Sequence, residues 1–217
     1  MFKELLIKMV CATGITAQSI PALMDKEGID FEPIETINWQ EYSYRPKVYF
    51  RMAYSNDALL VHYKVTEKSV AAVAGCDNGN VWEDSCVEFF TMPDEKDGVY
   101  YNYECNCVGR LLIGGGVPGN RTHAEQNVID TVDRWASLGK DDFEERIGEC
   151  TWEVALIIPL KTLFLHNITS LKGKTFRANF YKCGDKLQTP HFLSWSPIGL
   201  PHPNFHCPQF FGKLIFE

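Results

Sequence analysis

The reading turns on Val81-Trp82-Glu83-Asp84-Ser85-Cys86-Val87-Glu88-Phe89-Phe90. Its second half alternates as a strand does: Cys86, Glu88 and Phe90 point to one side, Val87 and Phe89 to the other. Val87 and Phe89 form the apolar face, so the row that carries Glu88 meets solvent or a cleft. Trp82 stands in the approach loop, after the turn-rich Cys76-Asp77-Asn78-Gly79-Asn80. An indole beside a fixed carboxylate suits a sugar, because the ring stacks on the C–H face of a pyranose while the carboxylate accepts from hydroxyls. The same residues also fit a core tryptophan and a solvated or salt-bridged glutamate.

Strands and turns continue on both sides. Lys47–Tyr54 and Ala58–Thr66 alternate about Ser55-Asn56-Asp57 and read as a hairpin with one buried face. His62 falls on its polar row and reads as a surface histidine. Val99–Cys107 meets Leu111–Ile113 across Val108-Gly109-Arg110, a second hairpin with Gly109 at its tip. Arg110 is then at a strand end, either reaching over a cleft or exposed in the loop. Gly114–Asp142 reads as a long insertion opened by a flexible glycine loop, since Gly114-Gly115-Gly116-Val117-Pro118-Gly119 lacks phosphate-binding spacing. Thr151–Pro159, Lys174–Cys183 and Phe211–Phe216 read as strands, with one helical turn over Pro159–Leu165. Phe2–Val10 fits an edge strand or a short helix, and Ser19-Ile20-Pro21 through Gly28 a short helix.

Many short strands, Gly/Pro/Asn turns and little helix predict an all-β fold: an antiparallel, immunoglobulin-like β-sandwich with one or two short helices and long loops. We expect a single domain over residues 1–217, with 1–34 as an N-terminal extension. A length of 217 residues with 45% apolar and 13% aromatic residues suffices for a sizeable core. A dispersed net charge of −7 argues against nucleic-acid partners and anionic lipid. No run of about 18 apolar residues suggests a membrane span. Lys3, Glu4 and Lys8 interrupt the N-terminal apolar stretch, so no export signal is visible. A cytoplasmic location is expected, or an extracellular or periplasmic one if a signal precedes this Met1. Eight cysteines without regular spacing then read as reduced thiols. Oligomeric state is not legible.

Between Tyr181 and Pro208 lie Cys183, Asp185, His191, Trp195, His202, Asn204, His206 and Cys207, interleaved with five prolines. Three readings compete: a zinc site from Cys183, His191, His206 and Cys207; a nucleophile site of Cys183 with His191 and Asp185; or Trp195 as a stacking platform with histidines fixing the loop. An enzyme acting on a sugar derivative, or a structural or interaction sandwich with core aromatics, therefore stays open beside a binding protein.

Trp82–Phe90, Tyr101-Asn102-Tyr103-Glu104-Cys105-Asn106 with Gly109, Trp152-Glu153-Val154 through Pro159, Arg177-Ala178-Asn179-Phe180, Trp195-Ser196-Pro197 and the closing Phe211-Gly212-Lys213-Leu214-Ile215-Phe216 together resemble carbohydrate-binding module family 9 and its DOMON-like relatives, over about residues 35–217. That resemblance implies a β-sandwich with a slot between two aromatic rings. There the reducing-end sugar of glucan- or xylan-type chains meets a carboxylate, an arginine and amides, without catalysis. By motif position it implies Trp82 as one wall, Glu88 as the carboxylate, Arg110 as the cation, Asn179 as an amide partner and Trp195 as the opposite wall. Asp84, His191 and His206 are secondary candidates. The implied partner is a carbohydrate, with no cofactor and no catalytic metal. Some members carry structural calcium, and the sequence shows no ordered acidic cluster to locate one.

Overall fold

The computed structural model describes residues 3–12 and 14–217. Two sheets face each other, as the alternating strands require. Fourteen strands are formed: β1 Glu4–Ile7, β2 Glu32–Pro33, β3 Thr36–Ile37, β4 Lys47–Tyr54, β5 Ala58–Ala72, β6 Cys86–Met92, β7 Tyr100–Asn106, β8 Leu111–Val117, β9 Asn120–His123, β10 Asp133–Ala136, β11 Phe143–Pro159, β12 Thr175–Cys183, β13 Phe192–Ser194 and β14 Gly212–Phe216. The first sheet runs β1-β14-β12-β6-β7-β8-β9, with β13 and β3 attached beside β12; the second runs β10-β11-β5-β4-β2. All pairings are antiparallel except that β1 lies parallel to β14.

The core lies between the sheets. Val87 and Phe89 enter it as their alternation demands, with Tyr101, Tyr103, Ile113 and Phe180 from the first sheet and Phe50, Val61, Tyr63, Trp152 and Val154 from the second. Phe180 joins the two layers, stacked 3.6 Å from Phe50 and 5.0 Å from Phe89. Rings placed this way contribute beyond the area they bury.

Three expectations need correction. The β4–β5 hairpin is buried on both faces, because the N-terminal segment covers its outer side: the short helix α1 (Ile20–Lys26) and Val10 pack on Ala53, Leu60 and Ala155. His62 is therefore not a surface residue. It is buried beneath Phe31, accepts from Arg51 Nε at Nδ1 (3.0 Å) and contacts Glu153 at Nε2 (2.9 Å). Burial lowers its pKa, which keeps the ring neutral.

In the described part of residues 1–34, β1 adds an edge strand and α1 packs on the second sheet. Phe2, in the first expected element, lies outside the described residues.

The glycine run that opens Gly114–Asp142 is not a flexible loop. Gly114–Gly116 sit inside β8, β9 pairs back on them, and a helical turn, α2 (Gln126–Ile129), and β10 follow. Side chains are excluded there by close approach. A Cβ on Gly114 would lie 2.5 Å from Asn102 Oδ1, and Gly116, at φ 140°, abuts the Asn120 backbone. A strand of glycines gives no apolar alternation to read. Among the described residues no helix is long and apolar enough to cross a membrane.

A candidate carbohydrate cleft on the outer face of the first sheet

Strand register builds the site. On the face away from the core, Glu88 lies directly opposite Glu104, which lies opposite Leu112. One rung along, Phe90, Asn102, Gly114 and His123 follow across β6, β7, β8 and β9. These rungs floor a cleft of about 620 Å³. Its remaining lining includes Trp82, Tyr42, Phe192, Phe205 and His206 as a rim, with Arg121 and Asp185 beside the carboxylates.

Trp82 is presented by a 3-10 turn, Val81–Glu83, and stays half-buried. Two anchors hold that turn. The Asp84 carboxylate accepts from the backbone N–H groups of Val73 (2.9 Å) and Ala74 (3.1 Å) and from Asn106 Nδ2 (2.8 Å). On the other side, the Asp185 and Lys186 amides donate to the Trp82 and Glu83 carbonyls, each at 3.2 Å. Asp84 is thus a positioning residue with no exposed surface, and burial raises its carboxyl despite these donors.

A polar chain crosses the floor. Arg121 donates to the Tyr100 and Gly116 carbonyls (3.0 Å each) and to Asn102 Oδ1, with its guanidinium 3.7 Å over the Tyr100 ring. Asn102 Nδ2 donates to Glu104 at 2.9 Å. Glu88 accepts from the Cys183 thiol at 2.9 Å. Glu88 and Glu104 are 2% and 5% exposed, and among the described residues no ion pair includes either. Burial, then the neighbouring Glu104, holds the Glu88 carboxyl well above the usual range. Glu104 is pushed up to about 7, chiefly by burial. Burial, then Glu83, raises Asp185 to about 6. Floor carboxyls able to donate as well as accept suit a ligand made of hydroxyls, each of which does both.

The sequence-derived candidates divide. Trp82, Glu88 and His206 come together in this cleft; His206 bonds Tyr100 Oη at 3.0 Å, and burial and Arg121 lower its pKa to about 4. The others lie elsewhere. Arg110 is bound by Asp142 (3.0 and 3.1 Å) in a separate depression with Asp77 and Arg134. Asn179 is spent on the Ser196 backbone, donating to its carbonyl (3.0 Å) and accepting from its N–H (2.8 Å). Trp195 is 1% exposed, set edge-on to Phe50 and Phe180 in the core, so it is no cleft wall. His191 is buried on Lys182 (2.9 Å), which pairs with Glu67 (3.0 Å).

Lys182 and Cys183 are strand neighbours facing opposite ways, so His191 is on the wrong side to serve Cys183 as a base, and burial raises that thiol rather than activating it. The four-residue zinc set fails with it. Among the described residues, the donors that cluster are Cys86, Glu88 and Cys183, not an all-oxygen calcium set.

Sequence reading missed Arg121, Asn102 and Glu104 as floor residues, and the aromatic rim of Tyr42, Phe192 and Phe205. Glu104 and Asn102 alternate with Tyr101 and Tyr103 in a readable strand, so their face was available. Arg121 needed the glycine run to be seen as a strand.

Fold and cleft together define a carbohydrate-binding β-sandwich. The chain belongs to carbohydrate-binding family 9, whose family model matches residues 18–216. A protein from Bacteroides uniformis ATCC 8492, to which carbohydrate binding is ascribed, has a crystal structure 55% identical to this chain, with a TM-score of 0.97 and 100% of each chain covered. Two family 9 module structures from Caldicellulosiruptor kristjanssonii share the fold. The glucose complex is 12% identical with a TM-score of 0.62, covering 99% of this chain and 96% of that one. The cellotriose complex is 11% identical with a TM-score of 0.58, covering 99% and 94%. No curated protein matches the chain.

Proposed function

We propose that the cleft receives a mono- or oligosaccharide of glucan or xylan type, at or near its reducing end, and that the protein serves polysaccharide breakdown by holding sugar. One observation carries this reading: a half-buried indole borders a floor whose two facing carboxyls, Glu88 and Glu104, are in no ion pair among the described residues. The pyranose stacks on Trp82 against the Tyr42, Phe192 and Phe205 rim, and its hydroxyls meet Glu88, Glu104 and Arg121. The glucose and cellotriose complexes of the Caldicellulosiruptor kristjanssonii modules support the ligand class. Polar contacts replace good ones with water, so affinity is expected in the micromolar to millimolar range, about 4–8 kcal/mol.

The test is calorimetric and fluorescence titration with glucose, cellobiose, xylobiose and their alditols. Saturable binding of the sugars but not the alditols, lost in Trp82→Ala, is the expected result. Equal binding by that variant overturns the wall assignment, and no binding of any sugar overturns the ligand class.

A further inference from the structure

Cys86 and Cys183 are directly opposite partners on β6 and β12, and Glu88, two residues after Cys86, projects from the same face. Two sulfurs and a carboxylate oxygen from these side chains lie within 4.8 Å of one another, with Cys183 Sγ 2.9 Å from Glu88 Oε1. All three residues are at most 2% exposed. Glu88 and Cys183 line the cleft, giving a route from solvent, and Cys86 stands behind them. Asp185 lines the cleft beside Cys183.

What the cluster lacks is a positive charge. Lys182 turns to the opposite face and is held by Glu67, His191 and the Cys183 carbonyl. Arg121 is committed to Asn102 and the Tyr100 and Gly116 carbonyls.

We propose that Cys86, Cys183 and Glu88 bind a thiophilic divalent cation of the zinc class at the base of the cleft, leaving its fourth coordination position toward the cleft. Zinc takes sulfur at about 2.3 Å and carboxylate oxygen at about 2.0–2.2 Å, so ligand atoms around it stand roughly 3.5 Å apart: the Cys183–Glu88 pair at 2.9 Å must open slightly, and the remaining separations, all within 4.8 Å, must settle to that distance. Two thiolates and one carboxylate favour zinc or cadmium over magnesium or calcium. Each thiol gives up its proton as its metal–sulfur bond forms, the Glu88 carboxyl gives up whatever proton its burial retains, and these protons leave to buffer. Burial keeps both thiols protonated in the metal-free protein, with Cys86 pushed up to about 12. The inference stands on strand register and not on the sugar reading. Because Glu88 belongs to both, metal and sugar binding are coupled.

The test is titration of the reduced, full chain with Cd²⁺, followed by the ultraviolet absorption of cadmium thiolates. Calorimetry with Zn²⁺ in two buffers of different ionisation enthalpy counts the protons released. We expect one equivalent bound and about two to three protons released, two from the thiols and the remainder from Glu88. Affinity should fall at least ~100-fold in Cys86→Ser and in Cys183→Ser, with no change when the exposed Cys11 and Cys76 are both replaced by Ser. Glu88→Gln, which keeps both sulfurs and the side-chain shape, is expected to retain the thiolate band while weakening binding. It decides the matter should a cysteine variant fail to fold. Absence of a band in wild type, survival of full affinity in the cleft variants, or loss of the band with Cys11 and Cys76 overturns the site. A protein that takes cadmium but no sugar keeps this inference and loses the previous one.

Discussion

The outer face of the first sheet has two halves, built from the same kinds of residue and put to different ends. Over β6 to β9 the polar groups face a cleft, and Glu88 finds no stronger donor in the protein than a thiol. Over β12 and β14 the segment after β13 folds down, Asn179 satisfies the Ser196 backbone, and Trp195 is sealed in the core. Two tryptophans that looked equivalent in the sequence thus differ in kind. Trp82 is fixed by its backbone and keeps its ring at the cleft, whereas Trp195 is fixed by its ring. A binding site is marked by polar groups that face an open cleft, not by residue type.

The sharpest way to break this contrast is to truncate both rings. Trp195→Ala empties a core position against Phe50 and Phe180 and is expected to lower stability by about 3–5 kcal/mol in chemical denaturation. Trp82→Ala, half-buried on a turn, should lose no more than about 1 kcal/mol while sugar binding largely disappears. Similar losses of stability in the two variants would erase the distinction.

The next contrast sets Glu88 against Arg110. Glu88→Gln is expected to weaken sugar binding by about 0.5–1.5 kcal/mol, roughly 2–10-fold, the net range for a hydrogen bond between neutral groups. Arg110→Ala, which removes only the exposed pair with Asp142, should leave calorimetric affinity unchanged. An Arg110 effect matching that of Glu88 would return the cation to the position that motif spacing suggests.

The acid-rich floor should also show in stability against pH. Glu104 rises from 4.5 to about 7, so between these values the native state keeps a proton that the unfolded chain has released. Stability from this group is present below about 4.5 and is lost as pH rises toward about 7. His62, His191 and His206, lowered by burial, act in the opposite sense at acid pH, so the readout is the difference between Glu104→Gln and wild type. The wild type should lose stability relative to the variant as pH climbs through that window. Parallel curves would mean that the Glu104 carboxyl is not perturbed.

The sheets were legible because their strands alternate: Val87 and Phe89 inward with Glu88 outward is enough to place β6. Half of the cleft was legible for the same reason. The rest depends on contacts between distant segments. Nothing in the sequence around His62 announces that Phe31, about 31 residues earlier, covers it. Asn179 looks available until Ser196 is seen to take both ends of its amide, and Trp195 until its ring is seen against Phe50 and Phe180 in the core. Arg121 is hidden by a different failure, since Gly114-Gly115-Gly116 carries turn chemistry in a strand that needs bare backbone.

That glycine strand supplies the finest test of the contrast. A Cβ on Gly114 would come 2.5 Å from Asn102 Oδ1 and 3.1 Å from Nδ2, so in Gly114→Ala the amide must turn away. Asn102 is the joint between Arg121 and Glu104, and turning it breaks one or both of those bonds. Sugar affinity should fall a few-fold, about 1 kcal/mol, the net value of one such hydrogen bond. Gly119→Ala is the control: at φ 80° in the β8–β9 turn, with no atom within 4 Å of the new methyl, it costs stability through backbone strain away from the floor. The two variants are then expected to differ in affinity. Equal affinities would mean that the Arg121–Asn102–Glu104 chain supports the strand but does not meet the ligand.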